Sequence, residues 1–350
     1  MTKNLLIQSE NLKALQYLLD CQNLRGGIDL VYIDPPFSTG INFTITNSRA
    51  ATISNSKFGN IAYRDNLKGN EFLDFLSDRL VLLRELLSDR GSIYLHIDYK
   101  IGHYVKVLMD QIFGIENFRN DITRVKCNPK NFARTGYGNV KDMVLFYTKG
   151  ANPIWNEPYQ PYQETEIEKL FPKTDKNNRR YTTVPIHAPG ETINGKSNQV
   201  FKGLMPPKGR HWRADVETLE RWDAEGLIEW SSSGNPRKII YSDERKGKRV
   251  QDIWEFKDPQ YPQYPTEKNI EMLDRIIQTS SDEGSIVLDC FCGSGTTLVS
   301  AQKNNRNWIG IDQSQIAIDT TIKRLNELTL PLFQSVVCYD CINLKSKKVS

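Results

Sequence analysis

The sequence predicts an α/β protein whose parallel sheet is encoded in two separated blocks. Apolar, strand-like runs alternate with amphipathic helical segments over residues 1–125 and again over 261–330. Between them, residues 126–260 lose this periodicity and carry short strand-like pieces and turns rich in Gly, Pro and Ser. Strand–helix alternation favours a parallel sheet, because parallel strands need a long crossover connection. We therefore predict one α/β domain in two halves, an inserted region at 126–260 and a polar tail at 331–350.

The first block contains strands and helices in turn. The segment SENLKALQYLL, from Ser9, has helical spacing after a Ser suited to the cap position. IDLVYID, from Ile28, is a continuous apolar run, as expected for a strand covered on both faces. FLDFLSDRLVLLRELL, from Phe72, has the apolar spacing of an amphipathic helix. A strand, GSIYLHID, and a helix ended by Gly114 complete the block.

The second block repeats this pattern around a Gly-rich turn. Its elements are the helix KNIEMLDRIIQTS, the strand SIVLDCF, the turn CGSG, the helix TTLVSAQKN, the strand NWIGIDQ and the helix SQIAIDTTIKRLNEL. The two blocks together can therefore build a single sheet with helices on its faces.

Composition excludes several classes of protein. No apolar run approaches the roughly 20 residues of a membrane span, and the N-terminus lacks the pattern of a signal peptide. Six cysteines are few for 350 residues and favour reduced thiols. The pair Cys338 and Cys341 lacks the second ligand pair of a zinc site. We therefore expect a cytoplasmic protein with no membrane partner and no metal.

The inserted region carries the positive charge. Residues 126–260 contain 23 Lys and Arg against 18 Asp and Glu, and five of the six tryptophans. Basic residues interleaved with aromatic ones are typical of a nucleic-acid surface, although a solvated face over a small aromatic core gives the same pattern. The candidate DNA-contacting residues are Arg210, Arg213, Arg237 and Lys238.

The Gly-rich turn of the second block has the features of a nucleoside-binding loop. IVLDCFCGSGTT places Asp289, Phe291, Gly293 and Gly295 between a strand and a helix, whose first N–H groups are unpaired. Asp312 ends the next strand, where an acid can accept hydrogen bonds from ribose hydroxyls. A tight turn without a ligand is the alternative interpretation.

The stretch VYIDPPFSTG ends the first strand on a rigid corner. Asp34 follows the strand. Pro36 has a fixed φ angle and restricts the backbone conformation of Pro35 before it. Two fixed carbonyls and a carboxylate can accept the two hydrogens of an exocyclic amine, while Phe37 can stack on the ring that bears it. In open parallel sheets ligands bind at the carboxyl ends of the strands. We therefore expect Asp34 and Gly293 to lie at one edge of one sheet.

These motifs resemble those of the β class of amino-DNA methyltransferases. The family's (D/N/S)PP(Y/F) motif corresponds to Asp34-Pro35-Pro36-Phe37, and its F-x-G-x-G motif corresponds to Phe291-Cys292-Gly293-Ser294-Gly295. YPTEKN, from Tyr264, is similar to a segment on the cofactor side. SENLKAL is similar to the segment that places an acid near the cofactor adenine, although Ser9-Glu10 replaces the more usual Gly-Asp. The catalytic motif precedes the cofactor motif, as in that class.

The resemblance implies a Rossmann-like methyltransferase sheet, permuted in sequence, with a target-recognition insert. It implies S-adenosylmethionine as cofactor, double-stranded DNA as partner and a flipped-out target base, and it is compatible with a homodimer and a cognate restriction endonuclease. The catalytic residues implied are Asp34, Pro35, Pro36 and Phe37. The cofactor-binding residues implied are Glu10, Thr266, Lys268, Asp289, Phe291, Gly293, Ser294, Gly295, Thr296 and Asp312.

Several alternatives remain at this point. Asp at the first motif position favours adenine N6 as the acceptor, while cytosine N4 shares the same chemistry and an inactive DNA-binding subunit is a third interpretation. A cytosine-C5 enzyme would need a nucleophilic Cys, and the chain has no Pro-Cys dipeptide. GETINGKS, from Gly190, matches a phosphate loop but lacks the strand and helix that such a loop requires. His96 and Asp98 are further candidates for the cleft.

Overall fold

The computed structural model describes residues 4–36, 42–45, 60–64, 70–129, 133, 135–192, 194–260, 267–328 and 337–344. The predicted site residues Phe37 and Thr266 lie outside these described residues.

The described strands are numbered in chain order. They are β1 (Asn4–Gln8), β2 (Ile28–Ile33), β3 (Asn42–Ile45), β4 (Asn60–Arg64), β5 (Leu87–Ile97), β6 (Phe118–Val125), β7 (Lys141–Thr148), β8 (Tyr159–Gln160), β9 (Lys173–Thr174), β10 (Arg180–Pro185), β11 (His187–Pro189), β12 (Arg210–Trp212), β13 (Ile228–Trp230), β14 (Pro236–Tyr241), β15 (Lys248–Arg249), β16 (Ile253–Trp254), β17 (Ile286–Asp289), β18 (Asn307–Asp312) and β19 (Tyr339–Asn343).

The α-helices of the same residues are α1 (Asn11–Asp20), α2 (Asn70–Leu86), α3 (Tyr99–Phe113), α4 (Glu164–Leu170), α5 (Val216–Ala224), α6 (Ile270–Ser280), α7 (Thr296–Lys303) and α8 (Gln315–Glu327). Each helix predicted from periodicity is present. The cap of α1 differs from the prediction: Glu10, not Ser9, accepts the N–H of Lys13. Ser9 is buried and donates its own N–H to the carbonyl of Asp312, because it continues β1 alongside β18.

The nine-stranded sheet of the described residues has the order β16-β6-β7-β5-β2-β17-β18-β1-β19. Neighbours are parallel except around β7, which is antiparallel to both β5 and β6. The α/β fold with a mostly parallel sheet is therefore confirmed. Strand β7 is buried along almost its whole length, as expected for a strand in the interior of the sheet.

Strands β2 and β17 lie side by side at the centre, with Leu30 opposite Val287 and Val31 opposite Leu288. The chain leaves β2 towards β5 on one side and leaves β17 towards β18 on the other. This reversal is the topological switch point at which ligands bind in open α/β sheets. Asp34 and the Gly loop follow the carboxyl ends of these two strands, so the prediction of one shared edge is confirmed.

The chain divides into two compact units, Met1–Pro158 with Gln251–Ser350, and Tyr159–Val250. The first, called the sheet unit here, contains the nine-stranded sheet. The second, called the insert unit, is narrower than the predicted region 126–260. The difference arises because β7 and β16, on either side of the insert unit in sequence, pair within the large sheet.

The insert unit has a small antiparallel architecture of its own. Its four-stranded sheet has the order β13-β14-β10-β9, and β11 pairs with β12. A small core of Ile186, Phe201, Trp212 and Leu219 holds it together. No helix follows Gly190 among the described residues up to β12, so the phosphate-loop motif there lacks the context that it needs.

Residues 339–343 do not belong to a separate tail as predicted. They form β19, which pairs in parallel with β1 at the edge of the large sheet. Among the described residues, no helix is both long and apolar enough to cross a membrane.

Candidate active site

Asp34 lies at the rigid corner that follows β2. Its carboxylate Oδ2 is 2.6 Å from Nζ of Lys268, and both side chains are largely buried. The other oxygen, Oδ1, is buried and has no hydrogen-bond partner among the described residues. An unsatisfied buried acceptor is costly, so this corner is ready to receive a hydrogen-bond donor. Pro35 is buried and Pro36 half-buried, which fixes the backbone on which Asp34 is carried.

Lys268 was expected on the cofactor side, and its ammonium contacts Asp34 in this structure. The segment that carries it precedes α6, whose first turn is capped by Asn269. Lys268 therefore connects the cofactor-side segment to the catalytic corner.

A buried polar cluster lies behind Asp34. His96 on β5 has Nδ1 at 3.1 Å from the hydroxyl of Tyr32 and Nε2 at 3.2 Å from Oδ2 of Asp142. Its Nδ1 is also 4.0 Å from Oδ1 of Asp34. Asp98, the other candidate, follows β5 and instead caps α3 by accepting the N–H of Lys100.

Asp289 anchors the start of the Gly loop. Its Oδ1 accepts the N–H of Phe291 at 3.0 Å and its Oδ2 accepts the hydroxyl of Thr297 at 2.6 Å. Burial raises the pKa of Asp289 to about 7, against the opposing effect of the Thr297 and Phe291 hydrogen bonds. The carboxylate thus fastens the loop to the first turn of α7 from within.

Gly295 is at the N-cap of α7 with φ +73°. A Cβ built there would lie 2.6 Å from both Oγ1 and Cγ2 of Thr321 on α8. Thr321 also donates a hydrogen bond to the carbonyl of Gly293. The loop can lie this close to α8 only because position 295 has no side chain.

Arg324 clamps the same loop from α8. Its Nη1 donates to the carbonyl and hydroxyl of Ser294 and to the hydroxyl of Thr296, at 2.9–3.0 Å. Its Nη2 is 3.1 Å from Oε1 of Glu267, the neighbour of Lys268. One guanidinium therefore joins the Gly loop to the segment before α6.

Asp312 closes the far side of the loop. Its Oδ2 accepts the N–H of Gly293 at 3.0 Å and its Oδ1 accepts that of Ser314 at 2.8 Å. These two hydrogen bonds fix the carboxylate of Asp312 at the end of β18, beside the Gly loop.

Glu10 lies at the neighbouring strand end and is paired with Arg79 of α2. Arg79 in turn stacks on Phe75, whose ring centroid is 6.2 Å from that of Phe291. Asn11 ties the start of α1 to the carbonyl of Cys290. The predicted residues Glu10, Asp289, Phe291 and Asp312 thus converge around one edge of the sheet.

This set of groups fits S-adenosylmethionine. Asp312 offers acceptors for a ribose, and Phe291, packed with Phe75, offers an apolar surface for a purine. Asp34, with its unpartnered oxygen, lies across the central strand pair from the loop. A nucleoside carrying a methyl donor and an amine acceptor can therefore meet at this edge.

The predicted DNA-contacting residues all lie in the insert unit. Arg210 and Arg213 are exposed and contact His187, through its Nδ1 and its carbonyl respectively. Burial and then the charges of Arg210, Arg213 and Arg237 lower the pKa of His187, so three arginines converge there. Arg237 is bound to Thr183, and Lys238 stacks on Trp222 with Nζ 3.4 Å from the ring centroid.

A family model described as DNA methylase, N6_N4_Mtase, matches residues 28–323. The chain belongs to this DNA methylase family. The match spans both the Asp34 corner and the Gly loop, and it confirms the resemblance that the motifs suggested. The methylase accordingly acts on an amino nitrogen of DNA, N6 of adenine or N4 of cytosine.

Curated relatives agree with the family. The type II methyltransferase M.EcaI of Enterobacter cloacae is 40% identical over 328 residues, which cover 92% of this chain and 69% of that protein. The StyLTI Mod subunit of a type III restriction-modification enzyme from Salmonella typhimurium is 25% identical over 331 residues. That match covers 84% of this chain and 49% of the Mod subunit, so the chain spans about half of its length.

The chain is also similar to a solved structure. The M1.HpyAVI–SAM complex is 15% identical, with a TM-score of 0.48 and coverage of 91% of this chain and 99% of that one.

Sequence reasoning missed several residues that build the site. Arg324 lies in a helix with ordinary amphipathic spacing, and nothing in that spacing points to the Gly loop. Asp142 belongs to a strand assigned to the insert, and its partnership with His96 requires the pairing of β5 with β7. The sequence signal that could have pointed to Asp142 is an acidic residue at the start of an otherwise apolar strand.

Proposed function

We propose that this methylase transfers a methyl group to the exocyclic N6 of adenine in duplex DNA. The observation that carries the proposal is the unpartnered, buried oxygen of Asp34 at the switch point, beside the Gly loop. Asp at the first motif position favours adenine over cytosine. The target base is flipped out of the duplex to reach the corner.

The residues of the corner activate the amine. The carboxylate of Asp34 and the carbonyl of Pro35 accept its two hydrogens, which localises the nitrogen lone pair. Pro36 keeps both acceptors in place, and Phe37 stacks on the base. Positioning and fixed dipoles supply most of the rate enhancement, since these groups need no rearrangement during the reaction.

The Gly loop and its supports hold the cofactor. S-adenosylmethionine supplies the methyl group from its positively charged sulfur. Asp312 accepts hydrogen bonds from the ribose, while the backbone from Phe291 to Thr296 lines the pocket under the Arg324 clamp. Glu10 and Phe291 flank the adenine, and Lys268 and Thr266 are the remaining cofactor-binding residues of this proposal.

The insert unit reads the DNA site. Its exposed arginines, Arg210 and Arg213, contact phosphates, and Arg237 and Lys238 support them from β14. Because its relatives are named as methyltransferases and Mod subunits of restriction–modification systems, we assign the chain to such a system. A cognate endonuclease and a homodimer are part of this proposal.

Transfer of labelled methyl from S-adenosylmethionine to mixed-sequence duplex DNA tests the function. The DNA is digested to nucleosides and the labelled product is identified. We expect N6-methyladenine. Label in N4-methylcytosine would leave the proposed site unchanged but show that the acceptor base is cytosine. Cofactor binding without any labelled DNA would favour an inactive DNA-binding subunit.

A further inference from the structure

A line of polar groups, most of them buried, leads from the end of β6 to the catalytic corner. Lys126 Nζ is 2.5 Å from Oδ1 of Asp142, and Arg124 Nη1 is 3.5 Å from Oδ2. Asp142 contacts Nε2 of His96 at 3.2 Å, and His96 faces Asp34. The side chains of His96 and Arg124 are completely buried. The proposed mechanism uses none of the groups behind Asp34.

The partners of His96 define where its proton lies. Burial alone would raise the pKa of Asp142, but hydrogen bonds from His96 and Lys126 hold it well below its usual value. Burial and then the charge of Lys268 lower the pKa of His96, so the ring is neutral near pH 7. The ionised Asp142 accepts the N–H of Nε2, which leaves a lone pair on Nδ1 for the hydroxyl of Tyr32.

Two acceptors therefore face each other between His96 and Asp34. Nδ1 of His96 and Oδ1 of Asp34 are 4.0 Å apart, and Oδ1 has no hydrogen-bond partner among the described residues. Nδ1 carries no proton in this tautomer, because the proton of the neutral ring is on Nε2. When Nδ1 takes up a proton, the hydroxyl of Tyr32 can no longer donate to it, and the imidazolium forms an ion pair with the carboxylate of Asp34, which is stronger than a neutral contact.

We propose that His96 takes up, through Asp34, the proton that methylation of the amine releases. This inference rests on the proposed function. The amine lone pair forms the new N–C bond, and the C–S bond of the donor breaks with its electron pair passing to sulfur. The excess proton moves from nitrogen to the Asp34 carboxylate and from Oδ1 to Nδ1 of His96. The product leaves neutral, and the proton passes to water when the site empties.

The groups around His96 determine how well it holds the proton. Tyr32 faces it from β2, and Asp34 from the corner after β2. Asp142 faces it from β7, and Lys268 from the segment before α6. Asp34 and Asp142 favour the imidazolium and Lys268 opposes it. His96 acts on the substrate only through Asp34 and is therefore a positioning residue. Removing the charge of Asp142 changes how strongly His96 holds a proton without altering Asp34 itself.

The first test is the pH profile of single-turnover methyl transfer by Asp142→Asn, a variant of the same shape. We expect the plateau rate to fall about tenfold and its acid limb to move down by about one pH unit, since loss of the neighbouring charge lowers the pKa of His96. Cofactor binding should be unchanged. The matched control is Asp121→Asn, at an exposed position on β6, with a profile like that of the wild type.

A rate of methyl transfer that falls by the same factor at every pH in Asp142→Asn would overturn the inference, because a purely structural role does not move the acid limb. An unchanged rate would overturn it as well. A wild type that transfers no methyl to DNA would instead overturn the proposed function and this inference with it.

A second measurement needs no turnover. The chain has four histidines, so the imidazole nitrogen signals of His96 can be assigned by comparison with His96→Asn. We expect the neutral ring with its proton on Nε2, and a further lowered pKa in Asp142→Asn. A proton on Nδ1 in the wild type would contradict the proposal.

Discussion

Asp289 is the residue whose burial has the clearest consequence for pH. Its folded pKa of about 7 is raised above the ordinary value, so its contribution to stability is fully present below about pH 4 and is lost as pH rises through about 7. We expect Asp289→Asn to be more stable relative to the wild type at pH 8 than at pH 5. Urea unfolding at both pH values measures this, with Asp121→Asn as control. A difference in stability between Asp289→Asn and the wild type that is the same at both pH values would contradict the raised pKa of Asp289.

Gly295 tests how closely the loop approaches α8. We expect Gly295→Ala to lower stability and cofactor affinity, because the new Cβ meets Thr321 in addition to the strain of positive φ. The matched control is Gly284→Ala, with φ +82° and nothing near the added Cβ, which carries only the backbone strain. Thermal unfolding and cofactor titration of both variants measure these losses. Equal losses of stability in the two would show that Thr321 does not restrict the loop.

At this scale the sequence predicts the motif residues but not their partners. Asp34, Asp289 and Asp312 stand out because each ends a strand. Their surroundings depend on contacts between residues far apart in sequence, such as Lys268 with Asp34 and Arg79 with Glu10. Ser9 was preferred over Glu10 as a cap because Ser is the better capping residue in general, yet pairing with β18 withdraws Ser9.

Helix α8 supports the cofactor loop through one side chain. We expect Arg324→Met to weaken cofactor binding about tenfold, since hydrogen bonds to a charged group contribute roughly 1.5–3 kcal/mol each. Lys323→Met, at an exposed position on the same helix, should bind the cofactor normally. Equilibrium dialysis with labelled cofactor compares them. Unchanged affinity in Arg324→Met would mean that the loop holds its shape without the clamp.

The elements themselves were largely predictable, and their neighbours in the sheet were not. Periodicity is a local signal, so it located α2, α6 and β17 well. The apolar pattern of β7 would be the same in a small inserted domain and in a large sheet. Only its pairing with β5 and β6 shows that it belongs to the large sheet. The short strand β19 has no strong pattern and was placed in a tail for that reason.

The whole molecule divides recognition from chemistry between two units. We expect the double variant Arg210→Gln/Arg213→Gln to bind DNA more weakly and with a salt dependence reduced by about one per lost phosphate contact. Cofactor binding, in the sheet unit, should not change. Lys248→Gln, in the insert unit but paired with Glu166, is the control. A double variant with normal salt dependence would remove these arginines from the DNA surface.

We propose that Asp34 activates the amine while the Gly loop independently holds the cofactor. Single-turnover transfer of labelled methyl to duplex DNA, at saturating cofactor, is compared between the wild type and Asp34→Ala, which removes the side-chain acceptor. We expect full cofactor binding by Asp34→Ala and a loss of methyl transfer of at least about a hundredfold. Methyl transfer by Asp34→Ala at the wild-type rate would show that Asp34 does not activate the amine, whatever base is methylated.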